Sequence, residues 1–417
     1  TLGRRDGGAP AAGAIPTAPT GAAVPVAPGD VARLEGHLGR HPDDAGAWAA
    51  LGSALVERAR VTADPSLYPR AEGAFDRSLA LQPEANLAAL MGRGALANAR
   101  HDFAAGLRWA EAALTVNPDR AEVHGVMGDA LLELGRYPEA FAAFQRMVDL
   151  RPGIAAYARV SYARELQGDV EGARQALEAA ATAAATPAGA AFAHHFLGEL
   201  AWNTGDLAGA GRSYELAARL DPDNVAPRAG LARLHAARGE TDRALSEWRS
   251  VVARAPLPEY VAEFGNLNLV AGHRAEAERQ FALLDAQQLL LRSSGVNTDL
   301  EIALFNADHG VRPAEGLAAA RAEWGRRQSI FVADALAWQL HANGMDAEAL
   351  PLADAALRLG TRNALFHYHR GMIHRSLGHL DAARRDLGAA LALNPHFSTL
   401  HAGPAARALA DLDGGAR

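Results

Sequence analysis

Two residue types are missing from this chain. It has no cysteine, which excludes disulfide bonds and thiolate metal sites. It has no lysine either, so all 41 basic side chains are arginine. Without lysine there is no phosphate-binding G-x-x-x-x-G-K-[ST] loop, and H-E-x-x-H and G-x-S-x-G are absent too. Aromatics are scarce, at 6% against a hydrophobic fraction of 49%, and alanine makes up much of the difference. No apolar run reaches the roughly 18 residues of a membrane span. The nearest, "AAATAAATPAGAAFA" (Ala179–Ala193), is broken by Thr and Pro and reads as one helix ending and another beginning. The net charge of −7 and the lack of a basic stripe argue against nucleic acid as a partner.

What is present is a beat. Apolar helical runs are followed by Gly135, Gly168, Gly205, Gly239, Gly272, Gly310, Gly344 and Gly378, in steps of 33 to 38 residues. Five residues after each glycine stands Ala, except at Glu315, and seven residues before each stands Gly, Ser or Ala. Pro83, Pro118, Pro152, Pro187, Pro222 and Pro256 keep the same time. The small residue and the Ala let two antiparallel helices approach closely. The glycine ends the first helix by taking a left-handed conformation, and the proline stops the second. Large residues four after the Ala (Phe144, Leu177, Tyr214, Trp248, Phe281, Leu387) fill the space between neighbours. A helix–turn–helix unit of about 34 residues is the signature of a stacked helical array. Such a stack adds core unit by unit, and its one continuous cavity is the inside of the coil.

On these residues the chain resembles the tetratricopeptide repeat (TPR) family. Unit Ala121–Pro152 matches its pattern with Met127, Gly128, Gly135, Tyr137, Ala140, Phe144 and Pro152, and departs at His124 and Met147. Unit Ala191–Pro222 matches with Leu197, Gly198, Gly205, Ala210, Tyr214, Ala217 and Pro222, and departs at His194 and Leu207. The resemblance implies an all-α, right-handed superhelical solenoid. The expected organisation is a disordered Ala/Pro-rich leader over 1–28 and an N-terminal half-repeat cap over 29–44. An array of about ten units follows over 45–396, then a C-terminal capping helix and tail over 397–417.

In the family, positions 2, 5, 9, 12 and 13 of each unit line a concave groove that binds a peptide or a partner loop. Carried over, the candidate partner-binding residues are Tyr162, His195, Glu199, Trp202, Asn203, Arg233, Asn266, Asp334, Trp338, His341, Tyr368 and Arg375. Glu165, Phe331 and Met372 fall at inner positions as well. For Trp202 and Trp338 the alternative is packing between adjacent first helices. The family's chaperone clamp needs lysine, so the resemblance does not extend to chaperone binding.

Sixteen histidines raise the rival reading of a divalent-metal accessory protein. His367 and His374 stand too far apart along a helix to share an ion, and only His37 and His41 have i,i+4 spacing. A site across repeats from Asp334, His341 and His367, or one at Asp308 and His309 in "NADHG", is the form it would take. Acids such as Glu139, Glu171 and Asp381 sit at second-helix starts, where they suit the helix dipole, so no catalytic pair stands out and no enzyme or cofactor is expected. The leader and the start at Thr1 point to removal of an upstream segment and an extracytoplasmic setting. The stretch from "ADALAWQLHANG" to "LNPHFSTLHA" resembles exported bacterial TPR proteins.

Overall fold

The structure, a computed structural model, describes residues 30–414, so the leader expected over 1–28 lies outside the described residues. Among the described residues there are 22 helices and no strand, and the expected all-α solenoid is what they form. A single helix α1 (Asp30–Arg40) precedes ten hairpins. Units 1 to 3 are α2 (Ala45–Thr62) with α3 (Leu67–Leu81), α4 (Leu87–Ala99) with α5 (Phe103–Val116), and α6 (Ala121–Glu133) with α7 (Tyr137–Leu150). Units 4 to 6 are α8 (Ile154–Leu166) with α9 (Val170–Thr182), α10 (Pro187–Asn203) with α11 (Leu207–Leu220), and α12 (Ala226–Ala237) with α13 (Thr241–Arg254). Units 7 and 8 are α14 (Pro258–Val270) with α15 (Arg274–Ser293), and α16 (Asp299–His309) with α17 (Pro313–Arg326). Units 9 and 10 are α18 (Ile330–Ala342) with α19 (Asp346–Ala356), and α20 (Ala364–Ser376) with α21 (Leu380–Leu393); α22 (Ala402–Gly414) closes the end.

The turn chemistry follows the glycine beat. All eight glycines have left-handed backbone, with φ from 61° at Gly310 to 82° at Gly272. Units 1 and 2 make the same turn without glycine, at Ala63 (φ 54°) and His101 (φ 60°). Just after the turns, Asp102, Asp169 and Asp206 cap the second helices by accepting from the N–H of Ala105, Gly172 and Gly209. The prolines differ from expectation at one point: Pro187 is the first residue of α10 rather than a terminator. That position suits proline, because the N–H it lacks would have no helical partner.

The small-and-large pattern is the packing rule of each unit. The ring of Phe144 lies so close over Gly128 that a Cβ there would come within 2.4 Å of it. Tyr214 covers Gly198 at the same 2.4 Å. Phe144 and Tyr214 are fully buried, and each such ring contributes about 1.5–3 kcal/mol through burial.

The coil then closes on itself. The backbone N–H of Asn297 donates to Arg100 O at 3.0 Å, and Ile330 N–H donates to the Tyr137 hydroxyl at 2.8 Å. Thr361 donates its hydroxyl to Leu166 O, and Asn394 Nδ2 donates to Trp202 O at 2.7 Å. The side-chain contacts among these span 192 to 195 residues. Thus the turns of units 2, 3, 4 and 5 each seat the loop that follows units 7, 8, 9 and 10. One hydrophobic cluster joins the two layers, with Phe103, Tyr137 and Tyr162 packed against Ile330, Phe331 and Phe366.

Candidate functional site: an enclosed concave chamber

Closure converts the inside of the coil into a chamber of about 340 Å³. First helices supply Tyr162, Glu165, Trp202, Asn203, Arg233, Glu263, Phe331 and Asp334, and the seated loops supply Thr361, Asn394 and Thr399. Its rim includes the exposed residues Val270 and Arg362. This rim adjoins the turns of units 6 and 7, where Gly239 and Gly272 have no atom near the place of a Cβ. The turns of units 3 to 5 are instead pressed against the next layer: a Cβ on Gly135 would meet Gln328 O at 2.4 Å, and one on Gly205 would meet Leu393 O at 2.4 Å.

The wall carries a fixed charge network. Arg233 donates to Glu199, which also accepts from the Tyr214 hydroxyl at 2.8 Å. The Arg233 guanidinium lies 5.3 Å from the centre of the Trp202 ring, in cation–π range. Burial opposes its charge, but Glu199 and Tyr214 more than offset that and hold its pKa above the ordinary arginine value. Burial likewise works against ionised Glu199, and Arg233 and His195 outweigh it, so its carboxyl stays below the usual range. Asn203 Nδ2 donates to Glu165 at 2.8 Å, and burial raises the Glu165 pKa. Glu263 lacks a close cation. Burial pushes its carboxyl up to about 7, against the pull of Arg233 and a 3.3 Å bond from Thr399.

Five of the twelve sequence candidates meet at the chamber: Tyr162, Trp202, Asn203, Arg233 and Asp334. Glu199 stands behind Arg233, and His195 packs its ring on Phe196 and Tyr214. Asn266 is buried in α14. Trp338 and Tyr368 are buried together further along the stack, and His341 stacks on Trp338 while its Nδ1 bonds Asp346. Half-buried Arg375 pairs with Asp411 at 3.1 Å. Glu263 was missed because it falls outside the five inner positions of the repeat pattern. Thr361, Asn394 and Thr399 were missed because a 34-residue period says nothing of a neighbour 136 to 195 residues away.

The metal trio drawn from the sequence is dispersed. His341 bonds Asp346, His367 bonds Asp386 at 3.0 Å, and Asp334 bonds His369 at 2.9 Å. Asp308 and His309 also part company. Asp308 accepts from Trp338 Nε1 at 2.6 Å, whereas His309 lies against Phe281 and Phe305, where burial pushes its pKa down to about 4.

Tetratricopeptide repeat models match residues 95–155, 201–263 and 364–397, so these segments of the solenoid are tetratricopeptide repeats. No characterised protein matches the chain in sequence closely enough to count as a relative. Among solved structures it is similar to a tetratricopeptide repeat protein from Parabacteroides merdae, at 16% identity over 58% of this chain and 98% of that one, with a TM-score of 0.43. It is similar to human IFIT1, solved as a dimer with m7Gppp-AAAA, at 15% identity over 79% and 76% of the chains, TM-score 0.49. Yeast Tom70 gives 14% identity over 93% and 85%, TM-score 0.38. No helix among the described residues is long and apolar enough to cross a membrane.

Proposed function

We propose that this protein is a non-catalytic interaction scaffold that receives a short segment of a partner protein, a loop tip or a chain end, in its concave chamber. Tetratricopeptide arrays serve as protein-binding scaffolds, and the observation that carries the reading is the chamber opening beside the unoccupied turns of units 6 and 7. A volume of about 340 Å³ suits a few residues rather than an extended peptide. Tyr368 and Trp338, buried in the stack, are better suited to packing than to contact with a long ligand. Arg362 at the exposed rim favours an acidic group on the incoming segment, while Trp202, Phe331 and Phe366 offer it an apolar floor. The leader composition supports an extracytoplasmic setting for this binding.

A photoreactive residue at Val270 tests the reading, with one at Val61, exposed on α2 away from the chamber lining, as the control. The reading expects one protein captured in native cells from Val270 and not from Val61, with capture lost in Arg362→Glu. Equal capture from both positions, or capture indifferent to Arg362→Glu, contradicts it.

A further inference from the structure

We propose that Asp308, His369 and His401 form a buried site for one divalent transition-metal ion such as Zn²⁺, behind the stretch of chamber wall that Asp334 lines. The three residues come from α16, α20 and the loop leading into α22, and they are separated in sequence by 61 and 32 positions. Each is at most 1% exposed. One potential ligand atom from each lies within 4.8 Å of the others. Atoms sharing one tetrahedral ion at bonds of about 2.1 Å stand ~3.4 Å apart, so the set draws in by up to about 1.4 Å when the ion binds.

The bonding around the trio is that of a prepared site. His369 Nδ1 faces the Asp334 carboxylate at 2.9 and 3.0 Å, which fixes the proton on Nδ1 and leaves the Nε2 lone pair unused. That Nε2 has no hydrogen-bond partner, nor does Asp308 Oδ2. A buried acceptor left without a donor is destabilising. A cation between them satisfies both, and a carboxylate on the far side of a ligating imidazole is the usual outer support of such sites. His401 Nε2 lies 3.1 Å from Asp308 Oδ1, a contact it would exchange for the ion, and its Nδ1 has no hydrogen-bond partner. Trp338 walls the site. Its Nε1 donates to Asp308, its ring stacks on His369 at 4.1 Å, and it meets His401 edge-on at 5.8 Å. Two imidazoles and one carboxylate, with no thiolate, suit Zn²⁺, Ni²⁺, Cu²⁺ or Fe²⁺ over the hard cations. The bound ion ties units 8 and 10 to the segment that starts α22, so its role is to lock the C-terminal end of the array.

The test uses the full chain produced in Zn²⁺-supplemented medium, with the metal counted after gel filtration, and the stripped chain titrated with Co²⁺ and followed by its visible d–d absorption. One ion per chain is expected, with a Zn²⁺-dependent rise in melting temperature of the wild type. His369→Gln and His401→Gln are expected to lose both the ion and the band. Asp334→Asn is expected to bind 10- to 100-fold more weakly. His37→Gln and His374→Gln, at surface histidine pairs, are expected to bind as wild type. Far-UV circular dichroism checks that each variant is folded. The proposal is overturned if the wild type retains no ion and shows neither band nor stabilisation. It is equally overturned if folded His369→Gln binds undiminished.

Discussion

The Tyr137 hydroxyl accepts a hydrogen bond from the Ile330 backbone N–H at 2.8 Å, across 193 residues of chain. That bond is one of a ladder of contacts by which the second layer of the coil seats on the first. The ladder encloses the concave side and makes the chamber.

Gly135 and Gly272 have nearly the same backbone, with φ of 80° and 82°, but only Gly135 is pressed against the next layer. Alanine at either position meets the left-handed penalty of about 1 kcal/mol. Gly135→Ala must in addition push away Gln328 O. Thermal melts are expected to show a clearly lower midpoint for Gly135→Ala than for Gly272→Ala.

Arg233 and Glu199 hold one another in the chamber wall. Arg233→Met leaves Glu199 desolvated beside Tyr214 without its cation, and a loss of about 3 kcal/mol is expected. Adding Glu199→Gln should return most of that loss, since the lone charge is then gone. Urea titration of the two single variants and the double variant measures the coupling.

Glu263 sets a pH dependence. Its folded carboxyl titrates near 7 against an ordinary value of 4.5, so the folded state holds the proton longer than the unfolded state. Stability is therefore full below about pH 4.5 and declines as pH rises through about 7, by about 3 kcal/mol at most. The groups facing it are Arg233, Thr399 and Asp308. Glu263→Gln is expected to be more stable than wild type at pH 8 and to show a flatter profile between pH 5 and 8 by denaturant titration.

The hairpins were legible because their physics is local. Gly128 must be small for Phe144 to fit, and Gly135 must turn left-handed to start α7, and both constraints repeat every 34 residues or so. The first two turns fall outside the glycine beat, at Ala63 and His101, since neither is the residue that usually makes them. His101 is held in its turn by Asn297 O, at 2.8 Å, a partner no local pattern announces. Arg233 and Trp202 were legible as chamber residues through their inner positions in the unit. Glu263, Thr361 and Asn394 were not, because their place depends on how tightly the coil winds, which is the sum of many small rotations from unit to unit.

The most direct measurement is the distance between the two layers. Arg358 lies over the Tyr137 ring at 5.3 Å, and the exposed Arg136 is the neighbour of Tyr137. The chain has no cysteine, so Arg136→Cys/Arg358→Cys carries a spin label at each of two defined sites. Electron–electron resonance on the full chain should give one short, narrow distance distribution. A long or broad distribution would mean the coil is open in solution and the enclosed chamber does not exist.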